Sequence, residues 1–291
     1  MGDRFANLAA PARLMLFAAL LALVGAAAVG VGAATRDDSV APRTTGDGMA
    51  MSEPMTPTSD EEANGLSTSA AGFTFEPART SFALGSSSFR FRIADSQGNA
   101  RHDFTREGGV ELHLIVVRRD LVGYTHVHPV VQADGSWLVR LNFTKPGVYR
   151  AFADFERAGE KTVLGTDLFV AGQMKPERLP AVQSVTTVGG YDIELASPQL
   201  HAGKAADVEF TVTHNGTRVP SFQSYVGMRG HLVTLHTGDL SYSHVHPLAT
   251  NAPGQIGFRT ELRSAGTYRA FLQFKIAGSV HTAPFTLKVV R

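Results

Sequence analysis

The strongest constraint on what this chain can fold into is that most of it is written twice. Moved along by the 118 positions that separate His113 from His231, the sequence falls on itself at landmark after landmark. Phe73 lands on Tyr191, Gly85 on Gly203, Gly98 on Gly216, Phe104 on Phe222 and Tyr124 on Tyr242, while His126-Val127-His128-Pro129 lands on His244-Val245-His246-Pro247. After a slip of one residue, Gly147-Val148-Tyr149-Arg150-Ala151-Phe152 matches Gly266-Thr267-Tyr268-Arg269-Ala270-Phe271. Self-similarity at a fixed period marks a duplicated unit. The spacing predicts a first domain over 73–172, a link over 173–186 and a second domain over 187–291.

Each unit reads as strands. Phe89, Phe91 and Ile93 alternate with Arg90 and Arg92, and Val208, Phe210 and Val212 alternate likewise in the second copy, the period of a half-buried strand. Turn-forming pairs such as Gln97-Gly98, Asp134-Gly135, Asn215-Gly216 and Pro253-Gly254 punctuate at short intervals. No helical period survives after residue 35. The expectation is an all-β protein of two tandem immunoglobulin-like antiparallel β-sandwich domains, about seven short strands each. The chain contains no cysteine, so this concerns architecture and not ancestry. The same absence excludes disulfides, thiolate zinc sites, blue-copper centres and thiol nucleophiles. With 27 Lys+Arg against 26 Asp+Glu and a net charge of +1, no basic surface argues for a nucleic-acid partner.

Residues 1–35 read as a membrane anchor or a signal peptide. Leu14 to Ala34 is an uncharged, mostly apolar run of 21 residues, long enough to cross a bilayer as one helix. Arg4 and Arg13 precede it, while Arg36, Asp37 and Asp38 follow, which places the later domains outside the cytoplasm on a single-pass protein of the cell membrane. The Ala-rich end leaves cleavage, and hence secretion, as the alternative. Residues 36–72 read as a disordered tether. Met49, Met51 and Met55 fall close together in it; either they form a soft Cu(I)-capturing segment or they are incidental in a tolerant linker.

Both copies carry His-x12-His-x-His-Pro: His113, His126 and His128, then His231, His244 and His246. Residues two apart on a strand share a face. A hairpin turning at Asp120-Leu121 sets His113 opposite His128, and one turning at Gly238-Asp239 sets His231 opposite His246. Cross-strand neighbours then bring three imidazoles together in each domain. Neutral imidazole is the commonest metal-ligand side chain, and nitrogen ligands without thiolate suit Cu(II), Zn(II) or Ni(II). The opposing reading is structural. The same faces carry Ile115 and Val117, or Val233 and Leu235, so the histidines would point into the sandwich or its end and hydrogen-bond there. As a fourth ligand, His281 aligns with Thr162 in the first copy; Asp154 of the first copy has Gln273 as its counterpart. Tyr124 and Tyr242 stand near both trios as supporting partners.

Catalytic motifs do not compete well for these residues. Cupin metal sites want a Glu shortly after His-x-His, and none follows here. Gly-x-Ser-x-Gly, Gly-x4-Gly-Lys-[Ser/Thr] and His-Glu-x-x-His are all absent. No general base stands beside the histidines in both copies.

The stretches His113-Leu114-Ile115-Val116-Val117-Arg118-Arg119-Asp120-Leu121 to His126-Val127-His128-Pro129, and Gly147 through Phe155, resemble those of uncharacterised actinobacterial exported proteins. These are similar to the YtkA-like β-sandwich group, which carries a heavy-metal label. The resemblance covers about 73–291 and implies an immunoglobulin-like fold, export and a role in handling metal, copper first; it carries no assigned activity. The functional expectation is an extracytoplasmic, membrane-anchored protein that binds or buffers copper, or zinc, through three histidines per domain. Its partners are the metal ion and, through the N-terminal helix, the membrane. The alternative is a structural or adhesive module whose histidine clusters only brace the fold.

Overall fold

The computed structural model describes residues 64–291 except His244, Thr250 and Asn251. The expected anchor over 1–35, most of the 36–72 tether with its three methionines, and His244 therefore lie outside the described residues. No helix long and apolar enough to cross a membrane occurs among the described residues; the secondary structure there is all β.

In chain order the first domain contributes β1 (Ser69–Ala70), β2 (Phe73–Pro77), β3 (Ser81–Phe82), β4 (Gly85–Asp95), β5 (His113–Arg118), β6 (Thr125–Val127), β7 (Val130–Val131), β8 (Trp137–Phe143), β9 (Gly147–Arg157) and β10 (Glu160–Val170). The second contributes β11 (Val185–Val188), β12 (Tyr191–Ala196), β13 (Leu200–His201), β14 (Ala205–His214), β15 (Thr217–Arg218), β16 (Gly230–His236), β17 (Tyr242–Ser243), β18 (Val245–Leu248), β19 (Gln255–Glu261), β20 (Gly266–Ile276) and β21 (Ser279–Val290).

The first domain pairs one sheet in the order β1-β2-β4-β8-β7 with another in the order β3-β10-β9-β5-β6. The second repeats this as β11-β12-β14-β19-β18 and β13-β21-β20-β16-β17, with β15 beside β14. All pairings are antiparallel except β3 with β10 and β13 with β21. Two sheets with this crossed-over order make an immunoglobulin-like Greek-key sandwich.

Period-2 burial builds each outer sheet. On β4, Phe89, Phe91 and Ile93 are buried while Arg90 and Arg92 face water and pair with Asp134 and Glu76. The inner strands differ: all six residues of β5 are buried. Leu114 and Val116 join the core of their own sandwich, together with Phe155, Leu164 and Trp137. Ile115 and Val117 belong instead to a third core, with Phe152, Val163, Val233, Leu235, Leu240, Tyr242 and Phe271. The face expected to point into the sandwich or its end thus points at the other domain. The two sandwiches bury equivalent sheets against each other.

The docking approximates a twofold axis relating the repeats. Tyr124 stacks on Phe271 with centroids 4.0 Å apart, and its repeat equivalent Tyr242 meets Phe152, the equivalent of Phe271, at 5.7 Å. Equivalent turns closed by Glu107–Val110 and Tyr225–Met228 also meet. Their approach requires glycine: a Cβ on Gly108, at φ +57, would lie 2.1 Å from the Val226 carbonyl carbon. Such a self-complementary contact is what a duplicated unit makes when two copies meet through one patch.

Candidate metal centre

Three histidines of the first domain converge on the face turned to the second. Leu114 pairs with Val127 and Ile115 with His126, and one more step of that ladder sets His113 against His128. The turn is longer than two residues, with Leu121 at φ +63, yet it preserves the expected register. His113, His126 and His128 share one side of the sheet, and their ligand-capable nitrogens all lie within 4.8 Å of one another.

The second domain supplies the rest of the surroundings. His231, the half-buried second residue of β16, stacks on His113 with centroids 5.2 Å apart and planes 12° from parallel, and its centroid lies 4.6 Å from that of His126. Gln273 is the β20 partner of His231. Its Oε1 lies 2.6 Å from His126 Nδ1, while its Nε2 donates to Thr282 Oγ1 at 3.1 Å. Since Oε1 can only accept, His126 Nδ1 carries the proton and Nε2 keeps its lone pair. That lone pair lies 2.8 Å from His113 Nδ1, which donates to it. The hydrogen-bond network thus assigns both tautomers. Tyr225 Oη stands 3.4 Å from His126 Nδ1.

Two imidazole nitrogens have no such role. His128 Nε2 and His231 Nδ1 are buried with no hydrogen-bond partner, as is Tyr124 Oη. Buried polar atoms without partners are uncommon, and each one calls for a physical account.

The rings are held neutral. Burial, followed by the neighbouring imidazoles, lowers His113 to about 4 and His126 to about 3. Burial also lowers His128, and it pushes His231 well below its ordinary value, with His126, His113 and His128 adding to the effect. Desolvation penalises each imidazolium, and proximity forbids several at once. Burial likewise raises Tyr225 to about 12, so it remains a phenol. Neutral rings keep the lone pairs a cation needs.

A cavity of about 340 Å³ adjoins the His113–His231 side, lined also by Glu107, Asp154, Lys161, Met228 and His246. Within it Lys161 pairs with Glu107 at 2.9 Å, and Tyr242 donates to Asp154 Oδ2 at 2.9 Å.

The expected pairing of His231 with His246 is not formed, while His244, the remaining member of that trio, lies outside the described residues. Thr234 pairs with Ser243 and Leu235 with Tyr242, so the second hairpin starts in the expected register. Strand β17 then ends at Ser243 and Val245–Leu248 pairs with β19 of the outer sheet, whereas in the first copy β6 keeps its pairing with β5 through Val127. His246 consequently pairs with Arg259 on β19 and is exposed. His231 faces the other domain and joins the first trio instead. His281 stands elsewhere: it pairs with Phe274, one place from Gln273 and Thr282, so its side chain takes the opposite face. It stacks on Phe274 at 5.4 Å and meets Tyr191 at 5.0 Å.

By sequence alone, Gln273 is only the counterpart of Asp154 in the other copy. Its place opposite His231 follows from strand alternation, but its bond to His126 needs the docked domains. Tyr225 and Glu107 lie in turns without a periodic signal and were not legible.

Residues 68–172 and 186–291 each match the sequence family described as Domain of unknown function (DUF8832). No curated protein matches the chain. Similar solved structures include a chimeric titin Z1Z2-Z1Z2 tandem carrying a GRGDS peptide from fibronectin, at 12% identity over 75% of this chain and 98% of that one, TM-score 0.20. Domains 5-6 of the S-layer protein SbsC match at 11% over 75% and 96%, TM-score 0.23. Escherichia coli alpha-2-macroglobulin activated by porcine elastase matches at 11% over 75% and 20%, TM-score 0.26.

Proposed function

We propose that this chain, which belongs to the family described as Domain of unknown function (DUF8832) through two successive matches, binds a transition-metal ion between its domains through His113, His126 and His128. One observation carries the reading: three neutral imidazoles with nitrogens within 4.8 Å, one of them, His128 Nε2, buried without any partner. An all-imidazole donor set suits Cu(II) and Zn(II). Gln273 would act as the outer partner that presents His126 Nε2, the role a hydrogen-bond acceptor plays behind a ligating histidine. Nitrogens bound at about 2.0–2.1 Å stand closer together than 4.8 Å. Binding therefore draws the outer rings inward and replaces the His113–His126 hydrogen bond.

In this reading the chain binds or buffers the ion outside the cytoplasm, held to the membrane by Leu14 to Ala34. The flanking charges support that orientation, and the alternative of a cleaved segment would release the same domains. Copper is the preferred ion. Support comes from Met49, Met51 and Met55 and from the resemblance to the YtkA-like group.

A second reading rests on a different observation. His113, His126, Gln273 and Thr282 form a continuous hydrogen-bonded chain across the domain interface, which braces a structural module without any ion.

Calorimetry and metal analysis of the full-length protein in detergent, titrated with Cu(II), Zn(II) and Ni(II), separate the two. Metal binding predicts one ion per chain with Kd tighter than about 10 μM, and its loss in His126→Ala/His128→Ala. The structural reading predicts no binding by the parent and only a lower Tm in the double variant.

A further inference from the structure

We infer that the centre is completed across the domain interface by His231, making it a four-imidazole site for a borderline dication such as Cu(II) or Zn(II). This rests on the three-histidine reading above and extends it to the second repeat. His231 Nδ1 is buried without a partner, although Gln273, the adjacent amide on β20, spends its acceptor on His126 rather than on His231. The ring stands 4.6 Å from His126 and 5.2 Å from His113. Among the described residues His231 Nδ1 has no hydrogen bond to break in turning a lone pair to a shared ion.

The cavity lies on this side of the cluster. It is lined by His113 and His231 and reaches His246, which is exposed. Its charges favour a cation: Lys161 pairs with Glu107 and also interacts with Asp154, whose Oδ2 accepts from the Tyr242 hydroxyl, so two carboxylates face one ammonium. The carboxylate in excess beside neutral rings favours a positive ion over an anion. A three-histidine centre leaves a fourth position for water or substrate, while four imidazoles close it. The duplication then has a chemical consequence: a single repeat lacks the fourth ligand.

Loading the full-length protein with one equivalent of Cu(II) or Zn(II) tests this. Nitrogen hyperfine spectroscopy of the copper form and X-ray absorption of the zinc form count the bound imidazoles. Four in the parent is the expected result. His231→Phe keeps a ring to stack on His113 and should show three, with affinity weaker by at least the about 10–100-fold that loss of an outer partner costs. Three imidazoles in the parent, or unchanged affinity in His231→Phe, would overturn the inference while leaving the three-histidine site intact. An absence of bound metal in the parent would remove both. If His231→Phe does not fold, the imidazole count of the parent decides alone.

Discussion

His126 is the hub of the site because each of its nitrogens has a different task. Nδ1 donates to Gln273 in the other domain, and Nε2 accepts from His113. Both depend on neutral rings, which makes stability depend on pH. The folded-state values of His113 and His126 lie near 4 and 3, below the ordinary 6.5. Between those limits the unfolded chain binds more protons, so metal-free stability is complete above pH 6.5 and falls as pH drops. The slope is about 1.4 kcal/mol per pH unit for each histidine. Urea denaturation at pH 7.5 and 5.5 measures it, in a window above most carboxylate titrations. Equal stability at the two values would contradict neutral burial.

At the scale of the strand, parity decides everything. Val127 packs against the first sandwich core, and its neighbours on either side face the second domain. Exchanging the two residues, Val127→His with His128→Val, keeps composition and turns the imidazole into the core. Metal binding should be lost, with destabilisation of about 1–3 kcal/mol from a buried, unpartnered ring. Parallel calorimetry and thermal melts check both, and undiminished binding would mean that His128 is not a ligand. The strand edge also explains the asymmetry between repeats. Equal spacing of histidines could not reveal that the second chain crosses between sheets earlier, because the crossing depends on which outer strand captures it. In the second domain β19 captures Val245–Leu248.

For the molecule as a whole, the histidines are part of the seam between two sandwiches. Ile115, Val117, Val233 and Leu235 are each fully buried there, and apolar side chains of this kind contribute about 1.5–3 kcal/mol apiece when buried. An ion bound at the seam stabilises the docked state by mass action, about 2.7 kcal/mol at a hundred times Kd. Hydrogen exchange with and without Cu(II) should therefore show protection rising together in β5 of the first domain and in β16 and β20 of the second. Protection confined to the first domain would show that the ion does not bridge the pair.

The repeat, the strand alternation and the His-x-His spacing are local properties of the chain, and they sufficed to predict two β-sandwiches and the hairpin register that gathers His113, His126 and His128. Period-2 patterning also reports that Ile115 and Val117, or Val233 and Leu235, are buried. It does not report against what, because a strand buried on both sides presents the same apolar run whether its second face meets a core or another domain. Docking decided that, bringing His231 and Gln273 to the first trio, while pairing with β19 inside the second domain held His246 at an outer edge. The cross-domain cluster follows from the packing of two complementary faces, a property of surfaces in space that no one-dimensional spacing contains.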